Sequence, residues 1–259
     1  MSAEAPATLV RYALADGVAT ITLDDPGRRH ALSRALRDQL WAAMRRLAAE
    51  RDARAAILTA TGEKTFCAGA DLHEFSAETV GPVERDYVPV AGRNLDLPMP
   101  LIAAVNGAAL GGGFLLMLSA DLVVAADHAI FGMPEARWGR GAPWSIPLAR
   151  MVSERVWMEL CLTGEPIDAR RALAVGIVNR VVPAGRLSEV AMALARRIAA
   201  NAPLTVAASR RMIRLAAETG RTAAWDAVDE LFVPVYESED AREGPRAFHE
   251  RREPRWSGR

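Results

Sequence analysis

The stretch from Leu101 to Ala126 constrains the fold of this chain more than any other part of the sequence. It is apolar enough to suggest a membrane span, but Asn106, the glycines from Gly111 to Gly113, and Asp121 interrupt it. Charged and amide side chains are costly inside a bilayer, whereas they commonly mark the ends of buried strands and helices. The sequence therefore favours a buried strand that leads through glycines into an apolar helix, and it predicts no membrane span.

Strand and helix periods alternate along the chain. Val18 to Leu23 alternates apolar residues with threonine, which is the two-residue period of a half-buried strand. Ser33 suits the N-cap of a helix that runs to about Glu50. Short apolar runs predict further buried strands at Ala55–Leu58, Leu101–Val105 and Leu122–Ala125.

The C-terminal part of the chain has a helical pattern. Apolar residues recur there at helical spacing at Leu187, Val190, Leu194 and Ile198. Pro203 is placed to open another helix. We therefore predict a core over residues 1–200 and a helical region over residues 201–259. The segment from Leu72 to Pro100 is irregular, and we expect it to cover a pocket, because long irregular loops in compact domains are usually functional.

Charge and cysteine content exclude several classes of protein. The chain has 259 residues, and its 32 basic side chains balance 32 acidic ones. Such a balance creates no overall field for nucleic acid or an anionic membrane, so we expect neither as a partner. Cys67 and Cys161 lie far apart without metal-ligand spacing, and the N-terminus does not resemble a signal peptide. We expect a reduced, cytoplasmic setting and no metal site.

The first candidate functional motif runs from Phe66 to Leu72. It places Ala68, Gly69 and Ala70 shortly after a predicted strand. Small residues let a substrate oxygen approach main-chain N–H groups that bulky side chains would block. The alternative is a plain turn, and this motif alone does not separate the two.

The second motif runs from Val105 to Leu115. A buried strand leads into Gly111, Gly112 and Gly113 and then into an apolar helix. Free N–H groups at a helix start favour negative charge nearby, so an oxyanion would be stabilised there. Close packing of the strand against the helix is the alternative, since it also selects glycine. The motif lacks the Gly-Lys-Ser/Thr ending of a phosphate loop.

The third motif is a glutamate, Glu135, in the apolar and aromatic run from Phe131 to Gly139. Apolar walls disfavour the charged form of a carboxylate, so its pKa rises toward the range that is useful for proton transfer. The alternatives are an ion pair with Arg137 and a helix cap, both of which are common structural roles for glutamate.

The order and spacing of the three motifs resemble the crotonase superfamily, the enoyl-CoA hydratase/isomerase family. Further matching segments lie along nearly the whole chain, at His30–Ser33, Leu162–Gly164, Gly176–Pro183, Asn201–Pro203 and Glu243–Phe248. The resemblance implies an α/β fold of the crotonase (ClpP-like) type, a spiral of repeated ββα units with a helical C-terminal region. It also implies an acyl-CoA thioester as substrate, no tightly bound cofactor, since coenzyme A enters as part of the substrate, and a homotrimer or a dimer of trimers.

The resemblance also implies roles for individual residues. The backbone N–H groups of Ala68 and Gly112 would form the oxyanion hole for the thioester oxygen, and Glu135 would be the principal acid/base. Coenzyme A would lie along the loops that contain Arg28 and Ala70. The implied substrate and CoA contacts are Arg28, His30, Ala31, Ala68, Ala70, Asp71, Leu72, Gly111, Leu115, Trp138, Phe248 and Arg251. The basic residues of the tail fit a solvated helix face equally well.

Leu115 departs from the family's hydratases, which carry a second glutamate at this position. Hydration is easiest with two carboxylates that hold a water molecule, whereas one base is enough to move a double bond. This departure favours an enoyl-CoA isomerase over a hydratase, and a catalytically inactive acyl-CoA binder is a third possibility. His73 or Glu74 of the irregular segment could in principle replace the second carboxylate, but an exposed loop position is the favoured interpretation of each. Trp138 and Trp144 either narrow the acyl pocket or serve in packing.

Overall fold

The computed structural model of the protein describes residues 7–74, 81 and 83–259. The strands are β1 (Val10–Ala15), β2 (Val18–Leu23), β3 (Ala55–Ala60), β4 (Thr65–Cys67), β5 (Leu101–Val105), β6 (Ala108–Leu110), β7 (Leu122–Ala126), β8 (Ile130–Gly132), β9 (Ile167–Asp168) and β10 (Arg180–Val182). The helices are α1 (Arg34–Ala49), α2 (Gly112–Leu118), α3 (Leu148–Met151), α4 (Glu154–Thr163), α5 (Ala169–Ala174), α6 (Leu187–Ala199), α7 (Pro203–Glu218), α8 (Arg221–Glu237) and α9 (Asp240–Glu250).

The larger sheet has the strand order β1-β2-β3-β5-β7-β10 within the described residues. β1 and β2 are antiparallel, and the other neighbours are parallel. Ala56 and Leu58 of β3 join the main apolar core on one face, while Ala55 and Ile57 pack with α6 on the other. Because both faces are covered, the strand is apolar and buried from Ala55 to Leu58, as is usual in parallel sheets.

The smaller sheet has the order β4-β6-β8-β9 in the same part of the chain. β4, β6 and β8 are parallel to one another, and they follow β3, β5 and β7 of the larger sheet in sequence. This alternation between two sheets is the repeating unit of the predicted spiral. The carboxyl ends of β4, β6 and β8 meet at one edge, where the three sequence motifs leave the sheet.

Local sequence signals account for the first helix and the strand before it. The Ser33 hydroxyl accepts a hydrogen bond from the Leu36 N–H at 3.3 Å, so the predicted N-cap of α1 is confirmed. The predicted apolar stripe is buried at Leu36, Leu40, Met44 and Leu47. The predicted strand Val18–Leu23 is also confirmed. The sequence patterns did not predict β1 or the short strands β4, β6 and β8.

The apolar stretch from Leu101 to Ala126 folds into β5, β6, α2 and β7. β5 is buried throughout, and α2 is buried from Gly113 to Leu118. A buried strand therefore leads through glycines into an apolar helix, as predicted. In the part of the chain that the structure describes, no helix combines the length and apolarity that a bilayer crossing requires.

An ion-pair cluster joins the C-terminal helices to the larger sheet. Asp121, at the start of β7, accepts hydrogen bonds from Arg210 Nε at 2.7 Å and from Arg214 Nη2 at 2.9 Å, both on α7. Its other oxygen accepts the Leu101 N–H of β5 at 2.9 Å. Arg210 also donates to the Leu97 carbonyl, just before β5. The helical region is thus fixed to the strands that carry the site.

Candidate active site

The turn after β4 and the turn after β6 are in direct contact. A Cβ atom added to Gly69 would lie 2.8 Å from the Leu110 carbonyl oxygen and 3.2 Å from the Gly112 nitrogen. Gly69 also has a φ of +93°, a conformation that other residues rarely adopt. Only glycine allows this approach, so the small residues of the first motif serve to bring the two turns together.

One of the two amides that the resemblance implied is already occupied. The Ala68 N–H donates a hydrogen bond to the Arg29 carbonyl oxygen at 3.1 Å. An amide that is engaged in this way does not point at a ligand in the cavity. The structure therefore does not fit Ala68 as an oxyanion donor, because a contact with a distant turn uses its N–H group.

Ala70, two residues further on, has the geometry that Ala68 lacks. Its nitrogen lies 3.9 Å from the position that a Cβ on Gly112 would occupy. Gly112 is the first residue of α2, so its N–H group has no acceptor within the helix. Neither amide donates a hydrogen bond within the described part of the chain. Both residues line the same cavity, where the two N–H groups are neighbours.

Glu135 lies beside these turns, in a 3-10 helix from Pro134 to Trp138 that follows β8. Its Oε1 atom is 3.2 Å from the position that a Cβ on Gly111 would occupy, so the glycine makes room for the carboxylate. Burial raises the pKa of Glu135, and hydrogen bonding from its own backbone and from the Trp144 side chain opposes that rise. Its Oε2 atom is buried and has no hydrogen-bond partner among the described residues.

Ala70, Gly112 and Glu135 line one cavity of about 390 Å³. Leu115, which is 6% exposed, lies in its wall at the position where the hydratases of the family carry glutamate. Trp144 also lines the cavity and packs edge-on against Phe114, with ring centroids 6.3 Å apart. Such a site has amide donors for a carbonyl oxygen and a carboxyl group that can move a proton on a neighbouring carbon.

The irregular segment from Leu72 to Pro100 contributes to the wall of the cavity, as expected. Its contributions begin at Gly81 and include Glu84, Tyr87 and Arg93, while residues 75–80 and 82 lie outside the described part. The Tyr87 hydroxyl donates to the Leu32 carbonyl oxygen at 3.2 Å, which ties the segment to the turn before α1. Sequence reasoning missed Glu84 and Tyr87, since no local pattern marks them.

His73 and Glu74 do not line this cavity. Both Glu74 carboxylate oxygens accept the Arg34 N–H at the start of α1, at 3.0 and 2.9 Å, and one lies 3.6 Å from Arg37. Glu74 is therefore a cap for α1. His73 is exposed, and its N–H donates to Asp71. Neither residue is placed to replace the missing second carboxylate.

The predicted CoA contacts divide into exposed and buried residues. Arg28 and Leu72 are exposed, and Ala31 and Ala68 are partly exposed. His30 is only 1% exposed and its Nε2 lies 3.3 Å from the Thr61 hydroxyl, so the structure does not fit it as a ligand contact.

Two further predicted contacts are buried and order their surroundings. Asp71 is 3% exposed, and its carboxylate pairs with Arg28 and accepts the His73 N–H, so it orders the turn. Gly111 is buried as well, and it acts by admitting Glu135.

Three predicted contacts lie away from the cavity. Trp138 is 64% exposed and Phe248 is 81% exposed, and neither lines it. Arg251 is also exposed, at the end of α9. Arg137 pairs with Glu165 and not with Glu135, which removes one structural alternative for the glutamate.

Comparisons with known proteins agree with this geometry. Residues 14–259 match the family model for enoyl-CoA hydratase/isomerase. The chain is 38% identical over 252 residues to the carnitinyl-CoA dehydratase of Proteus mirabilis, a match that covers 93% of this chain and 95% of that protein. The structure of a probable enoyl-CoA hydratase/isomerase from Mycobacterium abscessus matches with a TM-score of 0.86 and 39% identity, over 98% of this chain and 100% of the other.

A second solved structure gives the same result. The enoyl-CoA hydratase of Mycobacterium tuberculosis matches with a TM-score of 0.88 and 37% identity, over 97% of this chain and 99% of the other. These matches confirm the predicted crotonase-type α/β fold and the predicted enzyme class. This chain is therefore an acyl-CoA enzyme that belongs to the enoyl-CoA hydratase/isomerase family of the crotonase superfamily.

Proposed function

We propose that this enzyme moves the double bond of an enoyl-CoA. The thioester oxygen accepts hydrogen bonds from the Ala70 and Gly112 amides. Glu135 removes a proton from C2 of a 3-enoyl-CoA, which leaves a dienolate, and returns that proton to C4 to give the 2-enoyl-CoA. The observation that carries this proposal is that Glu135 is the partly buried carboxylate of the described cavity, while apolar Leu115 lies in its wall.

The physical properties of Glu135 suit a base that must also give its proton back. Its burial disfavours the carboxylate form, so the pKa rises and the return step becomes easier. A positioned acid/base group is typically worth about 10² to 10⁴ in rate. Each donor of an oxyanion hole contributes roughly 2.7 to 4 kcal/mol to the transition state.

Hydration or dehydration is the second candidate function. Its support comes from relatives that are named carnitinyl-CoA dehydratase and enoyl-CoA hydratase. A second carboxylate, Glu84, lines the described cavity, but it is exposed. Hydration would require this exposed side chain to hold the attacking water together with Glu135.

Purified protein assayed with matched 2-enoyl-CoA and 3-enoyl-CoA substrates separates the two functions. We expect isomerisation to dominate and Glu135→Gln to lower kcat by about 10² to 10⁴. Glu189→Gln is the matched control, because Glu189 is an exposed residue of α6 that pairs with Arg186. Rapid hydration that depends on Glu135 and comes without isomerisation would contradict the proposal. Binding without turnover of either substrate would identify an inactive acyl-CoA binder.

Replacing Leu115 tests the same proposal by a gain of function. Leu115→Glu puts a second carboxylate in the cavity wall, and we expect it to raise hydration relative to isomerisation. Leu115→Gln has nearly the same shape but carries no charge and cannot act as a base, so it should not raise hydration. Equal product ratios in the two variants would show that the residue at position 115 does not decide the reaction.

We further propose that coenzyme A lies along the turns that contain Arg28, Ala31 and Ala68, where exposed side chains and backbone are available. Assembly as a homotrimer or a dimer of trimers fits the apolar side chains that α7 and α8 leave exposed, among them Ile213 and Trp225, each 66% exposed. Large apolar side chains in such numbers usually mark protein interfaces.

A further inference from the structure

Arginine side chains are concentrated around the cavity that holds Glu135. Arg85 and Arg93 contribute from the irregular segment, and Arg140 contributes from the loop after Glu135. Among the described lining residues, Glu84 is the other carboxylate besides Glu135. The wall thus has three cations and two carboxylates, and the pKa of one of these carboxylates, Glu135, is raised by burial.

Arg140 is held at a fixed position relative to the base. Its N–H group donates to the Glu135 carbonyl oxygen at 2.9 Å, and Gly139 between them adopts a left-handed conformation with a φ of +63°. The Arg140 side chain is partly buried. Arg140 and Glu135 both line the cavity.

Arg85 and Arg93 are held together within the irregular segment. Arg85 donates to the Arg93 carbonyl oxygen at 3.2 Å, and the Asn94 amide donates to the Arg85 and Val88 carbonyl oxygens at 2.9 Å each. Both arginines are exposed, and neither forms an ion pair with any carboxylate of the described residues. Within the described residues, the segment thus presents at the cavity two guanidinium groups that form no ion pair.

We infer that the acyl group of the substrate carries a carboxylate at the end remote from the thioester. This inference rests on the proposed function, because the thioester must lie at Ala70 and Gly112 for the acyl end to reach the arginines. A guanidinium binds a carboxylate through two parallel hydrogen bonds, which adds geometric specificity to the attraction between the charges. A cationic acyl end would meet repulsion from the same groups.

The test compares three 3-enoyl-CoA substrates of equal chain length that end in a methyl group, a carboxylate or a trimethylammonium group. We expect kcat/KM for the carboxylate compound to exceed that for the methyl compound by about tenfold or more. The carboxylate accepts hydrogen bonds from charged guanidinium groups, which are stronger than hydrogen bonds between neutral groups, whereas the methyl group accepts none. The cationic compound should be the poorest of the three. Preference for the methyl or cationic compound would overturn this inference and leave the isomerase proposal intact.

Arginine variants test whether these side chains cause the preference for a terminal carboxylate. Arg140→Gln, and the double variant Arg85→Gln with Arg93→Gln, should each bring the ratio of carboxylate to methyl kcat/KM toward one. Arg186→Gln, at an exposed arginine of the loop before α6, is the matched control and should leave the ratio unchanged. If the variants raise KM equally for all three substrates, the arginines bind the CoA phosphates, and the inference fails.

Measurements of direct binding separate the inference of a terminal carboxylate from the isomerase proposal. Saturated acyl-CoA compounds with the same three ends bind without reacting, so their Kd values do not depend on the mechanism. Tighter binding of the carboxylate compound, lost in Arg140→Gln, would support the inference even if no turnover were found and the isomerase proposal failed. Equal Kd values for the carboxylate and methyl compounds would refute it.

Discussion

Replacing Gly69 by alanine tests whether two turns build one oxyanion hole. The added Cβ would lie 2.8 Å from the Leu110 carbonyl oxygen and 3.2 Å from the Gly112 nitrogen. Both atoms belong to the backbone, so neither can move aside as a flexible side chain would. We expect the turn that carries Ala70 and the start of α2 to be forced apart, which misaligns the two amide donors.

The magnitude has a conformational part and a steric part. A residue with a side chain loses about 1–2 kcal/mol in a left-handed conformation, and Gly69 has a φ of +93°. An extra methyl group in a tightly packed place costs about 1–3 kcal/mol more in stability. The effect on activity should be larger, because a displacement near 1 Å at catalytic contacts costs on the order of 10²-fold in rate.

Gly62→Ala is the matched control, since Gly62 has a φ of +73° and no heavy atom within 4 Å of its added Cβ. Denaturant unfolding should show a loss of about 1–2 kcal/mol for Gly62→Ala, with kcat unchanged. For Gly69→Ala we expect a loss of about 2–5 kcal/mol, and a kcat about 10²-fold lower in the folded enzyme. A folded Gly69→Ala enzyme with kcat within threefold of the wild type would refute the shared oxyanion hole.

Three further predictions concern titration, stability and assembly. Burial raises the pKa of Glu135 in the folded state. Protonation of Glu135 therefore contributes its full stabilisation of the fold below the unfolded-state pKa, and this contribution is lost as the pH rises through the folded-state pKa. Glu135→Gln should therefore unfold at a higher temperature than the wild type at neutral pH, and the wild-type kcat should fall at acidic pH above the usual glutamate range. Asp121→Ala should cost about 3 kcal/mol in denaturant unfolding, since it strands Arg210 and the Leu101 N–H; a loss below 1 kcal/mol would contradict this. Trp225→Glu should yield smaller particles in analytical ultracentrifugation, and an unchanged mass would remove α8 from the interface.

The sequence predicted the elements whose signals are local. Ser33 caps the start of α1, and the apolar residues of α1 recur at helical spacing. These signals lie close together in the sequence and can be detected without the tertiary structure. The short strands β4, β6 and β8 have three residues each, which is too few for a period to be visible. β1 alternates between partly buried and exposed residues, and its place at the sheet edge depends on pairing with β2.

The candidate site was predictable to within one or two residues. Sequence motifs identified both turns and Glu135, because glycines and an isolated glutamate are visible locally. The choice between the Ala68 and Ala70 amides was not visible, since it depends on the Ala68 hydrogen bond to Arg29, far away in sequence. His30 was predicted to contact the ligand, but it is buried against Thr61. That burial also depends on tertiary packing and leaves no local sequence signal.

The C-terminal helices support the cavity although none of their described residues lines it. Arg210 donates to the Leu97 carbonyl oxygen near the end of the irregular segment, and Arg214 packs close to Gly92 of that segment, with a nitrogen 2.8 Å from the position of a Cβ on Gly92. The same two side chains share Asp121 at the start of β7. Arg93 and Tyr87 depend on that segment for their place in the wall. In the proposed binding mode, α7 therefore supports the acyl end of the site, while β4, β6 and β8 support the thioester end. Differences in substrate between enzymes that share the oxyanion turns should therefore arise in the irregular segment and in its contacts with α7.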